Sequence, residues 1–183
     1  AGTRKLFATL FEGYDDPVSI MYESLALLAP DKEIKIAREA DGSLYGPAIF
    51  RVYHAGLGHG PHFDSVARRT KAFDYAISRF QYQLAAVLCF QSSGDTGDSG
   101  EAFIHNCPWT PDIQPTLANR SFCEYARNNG IERAHVELEP GDLYFFNTRC
   151  IHEVPPIQGA DTRAVLAVFI GYSADDKEIF VWS

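Results

Sequence analysis

From residue 44 onward, the chain repeats short β-favouring runs that are separated by turns rich in Gly, Pro, Asp and Asn. Runs rich in Val, Ile, Phe and Tyr fit the half-buried surface of a sheet. They cover residues 48–54, 80–90, 101–106, 134–138, 143–147, 150–154, 163–172 and 178–182. Eight or nine strands at such short spacing predict a mainly β fold. A sandwich or jelly roll accommodates them better than an alternating parallel fold does.

Residues 17–28, ahead of these runs, carry apolar side chains at the three- and four-residue steps of a helix. Pro17 suits the first turn of that helix, and Asp16 is its candidate N-cap. We predict a connection over residues 1–16, and a short strand or a loop over residues 33–38. We therefore expect one domain over residues 1–183, with a helical and loop flank at 1–43 and a jelly-roll core at 44–183.

The formal net charge of −8 argues against a partner bound mainly through phosphate groups, because nucleic-acid affinity depends on Lys and Arg. No apolar run is long enough to cross a membrane. A small-molecule partner is the remaining expectation, and the sequence does not indicate an oligomeric state. The chain has no CxxC pair, so reduced thiols of a cytoplasmic protein are expected at Cys89, Cys107, Cys123 and Cys150.

A Gly-Pro turn leads into His62 and Asp64, which are two residues apart. On a strand, alternate side chains face the same way, so one imidazole and one carboxylate would point to the same spot. His152, far along the chain, is the best candidate for a third ligand. Two histidines and one carboxylate on one face of a metal are the arrangement of non-haem iron(II) oxygenases. The simpler alternative for each histidine is a hydrogen-bonded strand residue, and the weaker ligand candidates are His54, His59 and His105.

Arg163 opens the apolar run 163–172, in which Val165 and Ala167 share its face. A cation on an inward apolar face is costly unless an anion meets it. The anion is either a structural carboxylate, such as Asp142 or Asp161, or the carboxylate of a bound dicarboxylic acid, which a guanidinium holds in bidentate fashion.

Six motifs follow one another over residues 48–172. They are Arg51-Val52-Tyr53, His62-Phe63-Asp64, Gly100-Glu101-Ala102-Phe103, Pro140-Gly141-Asp142 leading to Phe145-Phe146-Asn147, His152-Glu153-Val154, and Arg163. In this order they resemble the 2-oxoglutarate- and iron(II)-dependent oxygenase superfamily. The resemblance implies a double-stranded β-helix, which is a cupin-like jelly roll, with Fe(II) bound by His62, Asp64 and His152. It further implies 2-oxoglutarate and O2 as co-substrates, with Arg163 on the distal carboxylate of 2-oxoglutarate. Tyr53 is either a hydrogen-bond donor to the same molecule or a core residue.

The resemblance implies a dioxygenase that oxidises, and most simply hydroxylates, an aliphatic C–H bond of a small molecule such as an amino-acid derivative or natural product. Succinate and CO2 would be the co-products. Relatives that transfer halide carry a small residue where this chain has Asp64, which favours oxygen transfer. Two alternatives stay open: a cupin-like isomerase or hydrolase that uses the same triad without 2-oxoglutarate, and a non-catalytic binding module. The polar segments 65–78 and 91–100 are candidate lids.

Overall fold

The computed structural model of the chain describes residues 2–69, 74–94 and 100–183. The candidate lids fall partly on residues 70–73 and 95–99, which lie outside the described residues. The described strands are β1 (Glu33–Ile36), β2 (Ile49–Tyr53), β3 (His59–His62), β4 (Tyr82–Gln91), β5 (Ala102–Pro108), β6 (Arg133–Val136), β7 (Leu143–Asn147), β8 (Cys150–Val154), β9 (Arg163–Tyr172) and β10 (Glu178–Trp182). The described helices are α1 (Gly2–Leu10), α2 (Pro17–Leu28), α3 (Val66–Arg69), α4 (Gln114–Ala118) and α5 (Phe122–Asn128), with a 3₁₀ turn at Ala76–Arg79.

Two sheets form the jelly roll, so the predicted mainly β fold is confirmed. The larger sheet has the order β1-β10-β9-β4-β7. β2 also pairs with β9, along the first half of β9, whereas β10 pairs with its second half. The smaller sheet has the order β3-β8-β5-β6. β1, which lies inside the predicted N-terminal flank, pairs in parallel with β10 and extends the larger sheet.

Alternation along β9 separates the core from the interior of the jelly roll. Leu166, Val168 and Ile170 belong to the apolar cluster that also contains Met21 and Leu25 of α2. Arg163, Val165 and Ala167 occupy the alternate positions and line an internal cavity. On the smaller sheet, an apolar cluster joins β5 and β8 to α5 through Cys107, Ile151, Phe122 and Ala126. Each sheet therefore has one helix-covered face, and the faces left over enclose the cavity.

The N-terminal residues depart in part from the predictions. The α2 helix is confirmed, and its N-cap is Asp16, whose Oδ1 accepts a hydrogen bond from the Val18 N–H at 3.0 Å. The prediction that all of residues 1–16 form a connection is wrong, because residues 2–10 form α1. Of the described α1 side chains only Phe7 is buried, so the helical pattern in the sequence is weak.

The four cysteines are free thiols, as expected. Among the described residues, no helix combines the length and the apolar character that a membrane crossing requires.

Candidate active site

Two strands of the smaller sheet bring the predicted metal ligands together. The antiparallel register of β3 and β8 places His62 directly opposite His152, and their ring centroids are 4.2 Å apart. Asp64 follows β3 and is held by Thr148: its N–H donates to the Thr148 carbonyl at 2.9 Å. The Thr148 hydroxyl donates in turn to the Asp64 carbonyl at 2.8 Å. These two hydrogen bonds with Thr148 therefore fix the backbone position from which the Asp64 carboxylate reaches the two imidazoles.

The ligating atoms of these three side chains converge. Oδ2 of Asp64 lies 3.6 Å from Nε2 of His62 and 3.4 Å from Nε2 of His152. All three ligating atoms lie within 4.8 Å of one another. Both Nδ1 atoms sit against backbone carbonyls, of Gly60 at 2.8 Å and of Cys150 at 2.9 Å. An Nδ1–H that donates to a carbonyl leaves the Nε2 lone pair for a metal, so this donor set fits a divalent ion such as Fe(II).

The environment keeps His62 neutral. Burial lowers its pKa to about 3, and the neighbouring His152 and His59 act in the same direction against the opposing effect of Asp64. A neutral imidazole has the lone pair that metal binding needs, so His62 stays competent as a ligand at ordinary pH.

The weaker histidine candidates stand outside the triad. His59 stacks on His62 with centroids 3.7 Å apart but is exposed. His54 contacts the Thr162 hydroxyl at 3.3 Å, and His105 pairs with Glu153 at 3.0 Å. Within residues 2–69, 74–94 and 100–183, the triad is the one group of three side chains arranged to hold a metal.

The triad opens into a cavity of about 110 Å³ that also contains Arg163. Apolar side chains from both sheets form much of its wall, including Ile104, Val154, Val165, Ala167 and Phe146. Tyr53 and Tyr144 add two phenol groups, and burial raises the pKa of Tyr144 to about 12. The cavity thus joins a candidate metal centre to a buried cation through a largely apolar space.

Arg163 is almost fully buried and has a partner that the sequence interpretation missed. Its Nε donates to Oε2 of Glu101 at 3.2 Å, and the two side chains are only 3% and 5% exposed. Neither Asp142 nor Asp161, the suggested structural partners, forms this pair, and Asp142 instead accepts from the Glu139 N–H. Tyr53 lies beside the pair, with its ring centroid 5.6 Å from the guanidinium carbon of Arg163. Since Glu101 takes Nε, the terminal nitrogen atoms of Arg163 are not needed for the pair.

Comparison with known proteins identifies the family. The family model described as "Carrier-protein-independent halogenase WelO5" matches residues 2–183. The chain belongs to the WelO5 family. The predicted membership of the iron(II)- and 2-oxoglutarate-dependent oxygenases is thereby confirmed. A comparison with curated protein sequences returned no match.

Solved structures resemble this WelO5-family chain in fold. An N-substituted L-amino acid dioxygenase from Burkholderia ambifaria AMMD superposes with a TM-score of 0.65 at 17% identity, over 87% of this chain and 62% of that chain. The complex of such a dioxygenase with alpha-KG, from the same organism, gives a TM-score of 0.63 at 16% identity, over 98% of this chain and 70% of that chain. The WelO5-family chain therefore spans between three fifths and three quarters of the length of these two structures.

Gly58 is the close-packed residue of the segment that leads to the metal ligands. A Cβ built there lies 2.5 Å from the Val154 carbonyl oxygen and 2.6 Å from the Pro156 nitrogen, both backbone atoms at the end of β8. A Cβ on Gly60 meets nothing within 4 Å. We expect Gly58→Ala to destabilise the WelO5-family chain by about 1–3 kcal/mol, because overpacked backbone must move. Urea unfolding measures the effect, and Gly60→Ala is the matched control; equal stability of the two variants would contradict this close approach.

Proposed function

We propose that the chain is an Fe(II)- and 2-oxoglutarate-dependent dioxygenase that hydroxylates an aliphatic C–H bond of a small molecule, such as an amino-acid derivative or natural product. The observation that carries the proposal is the shared cavity of the His62, Asp64 and His152 donors and the buried Arg163. A triad without the buried cation would suit many metalloenzymes. A dicarboxylate co-substrate would bind the metal with one end and Arg163 with the other, so both groups have a role. The cupin-like isomerase or hydrolase alternative requires no dicarboxylate and leaves the buried Arg163 without a function in the reaction.

Each residue has a defined task in this proposal. His62, Asp64 and His152 hold the iron, and the carbonyls of Gly60 and Cys150 keep both imidazoles in the required tautomer. Iron(II) held there supplies, together with 2-oxoglutarate and O2, an oxidation that transfers one oxygen atom to the substrate and leaves succinate and CO2.

Arg163 binds the distal carboxylate of 2-oxoglutarate through its terminal nitrogen atoms, and Tyr53 flanks that guanidinium. The apolar walls exclude water from the reacting atoms, which limits side reactions. Glu101 has no contact with the co-substrate in this proposal, and its task is to orient Arg163.

Asp64 argues for oxygen transfer rather than halide transfer. The family model that matches the chain is described as that of a halogenase. The resemblance of the sequence motifs implies that halide-transferring relatives have a small residue at the position of the carboxylate. In this chain a carboxylate is present, and its Oδ2 lies within 3.6 Å of both imidazole nitrogens. With Asp64 as the third residue that would hold the metal, the site would favour oxygen transfer over halide binding.

An anaerobic titration tests the proposal. Adding iron(II) and then 2-oxoglutarate to the full chain is expected to produce the weak visible absorption of the metal–oxoacid chelate. A panel of amino acids and their derivatives is then screened in air for stimulated succinate formation. Products formed with chloride present are expected to gain an oxygen atom and no chlorine. Folded protein without the absorption band would overturn the oxygenase, and a chlorinated product would overturn hydroxylation.

A small-molecule substrate is consistent with the enclosed cavity. The cytoplasmic location rests on the four free thiols alone.

A further inference from the structure

A second arginine lines the cavity and has no role in the mechanism above. Arg51 lies on β2, and its side chain is part of the cavity wall together with those of Ile49 and Tyr53. The pairing of β2 with β9 explains this direction: Arg51 is opposite Val165 and Tyr53 is opposite Arg163, and these partners face the cavity. Phe50, between Ile49 and Arg51, faces away from the cavity and packs against the core.

The charges around the cavity leave Arg51 unmatched. Arg163 is neutralised by Glu101, and the carboxylate of Glu153 is directed to His105. Asp64 belongs to the candidate metal centre. Across residues 2–69, 74–94 and 100–183, no carboxylate lies within ion-pair distance of the Arg51 guanidinium. Arg51 is thus the cavity-lining cation of the described chain that has no acidic partner.

The exposed fractions of their side chains show that Arg163 and Arg51 lie at different depths in the cavity. Arg163 and Val165 are 2% and 1% exposed, so they lie at the closed end of the cavity. Ile49 is 41% exposed and His59 is also exposed, so these residues mark its mouth. Arg51 is half-buried and sits on the strand between Ile49 and Tyr53. Arg51 therefore lies between the exposed Ile49 and the level of the buried Arg163 along the paired strands β2 and β9.

We propose that Arg51 binds a carboxylate of the substrate, and that the substrate is an amphipathic carboxylic acid with an apolar body. The guanidinium provides a planar, permanently charged fork for that carboxylate. Apolar side chains that line the same cavity, among them Ile49, Ile104 and Val154, receive the carbon skeleton that is oxidised. The assignment of this carboxylate to a substrate rests on the proposed function, because Arg163 already accounts for the co-substrate.

Equilibrium binding tests this proposal without relying on turnover. Calorimetric titrations use the full chain loaded with manganese(II) and 2-oxoglutarate under anaerobic conditions. The probes are the N-acetyl derivatives of L-valine, L-leucine and L-phenylalanine, each compared with its carboxamide. We expect at least one acid to bind about tenfold or more tightly than its amide, which is the discrimination typical of a charge-assisted pair.

Variants of Arg51 test whether this residue causes the tighter binding of the acid over the amide. Arg51→Gln is expected to weaken acid binding about tenfold or more and to leave amide binding within about twofold. Arg51→Lys is expected to restore part of the preference, because it keeps the charge and loses the bidentate fork. Arg127→Gln, an exposed arginine on α5, is the control for loss of one positive charge.

Three results would overturn the proposal. The first is that no acid of the panel binds, or that acids and amides bind wild-type protein equally. The second is that Arg51→Gln weakens acids and amides alike. The third is that Arg51→Gln weakens 2-oxoglutarate binding and leaves the acid preference intact, which would assign the cation to the co-substrate. Failure of the proposed function is separate, because it appears as a missing chelate band in wild-type protein.

Discussion

Asp64→Ala is expected to lower iron(II) affinity by more than about 100-fold and to abolish substrate-stimulated succinate formation. Loss of a residue that merely supports a metal ligand costs about 10- to 100-fold in metal affinity, and loss of a ligand costs more. In this site Asp64 is the carboxylate that both imidazoles face, at 3.4 and 3.6 Å. Iron retained after desalting, measured against a competing chelator, gives the affinity directly.

His59→Ala is the matched control for this experiment. His59 also lines the cavity and stacks on His62, yet it stands outside the converging triad. We expect this variant to keep iron(II) affinity within about one order of magnitude, because it alters only the surroundings of a ligand. If Asp64→Ala retains iron and turnover, or if His59→Ala loses iron as completely, the assignment of the triad is wrong.

Arg163→Met is expected to cost about 3–5 kcal/mol of folding free energy and to abolish measurable 2-oxoglutarate binding. The stability loss follows because Glu101 is left as an unpaired buried charge. The binding loss follows because Arg163 is the one buried arginine among the described residues that line the cavity, whereas Arg51 is half-buried. Chemical unfolding measures the first effect, and anaerobic titration of the chelate band measures the second.

The double variant Glu101→Gln/Arg163→Met separates the structural role of Arg163 from its binding role. Removing both charges eliminates the buried unpaired carboxylate, so we expect most of the lost stability to return. Binding of 2-oxoglutarate should stay absent, because the guanidinium is still missing. Recovery of binding along with stability would mean that Arg163 serves the fold alone. Unchanged stability of Arg163→Met would contradict the tight ion pair with Glu101.

Strand composition and spacing were sufficient to predict much of the architecture. The bounds of β7, β8, β9 and β10 agree with the predicted runs, since each run is bordered by Gly, Pro or Asp residues that end a strand. Helix α1 was missed for a physical reason: its stability depends on Phe7, which packs near Phe11 and Phe50. Such a contact between distant segments leaves little periodic signal in nine residues.

In the candidate site, too, some features could be predicted from the sequence and others could not. Residue type and the spacing of His62 and Asp64 were sufficient to predict the three ligand candidates, although β3 ends at His62 and Asp64 follows it. The pairing of β3 with β8, which places His152 opposite His62, is visible only in the fold. The partner of Arg163 is different, because Glu101 lies 62 positions away on the chain, next to a strand of the opposite sheet. Local pattern favoured the nearer acids Asp142 and Asp161. Similarly, the unmatched charge of Arg51 becomes visible only when every acid around the cavity has been placed.

The cross-strand pairing of His62 with His152 gives the candidate metal centre a mechanical consequence. β3 has only four residues, and in the described part of the chain it pairs with β8 alone. An ion held by both histidines acts as a removable cross-link that closes the long loop between these strands. By mass action, a ligand that binds only the folded state adds about 4 kcal/mol of stability at 1,000 times its Kd. If the proposed iron binds there, its supply would therefore govern how long the β3 edge stays closed.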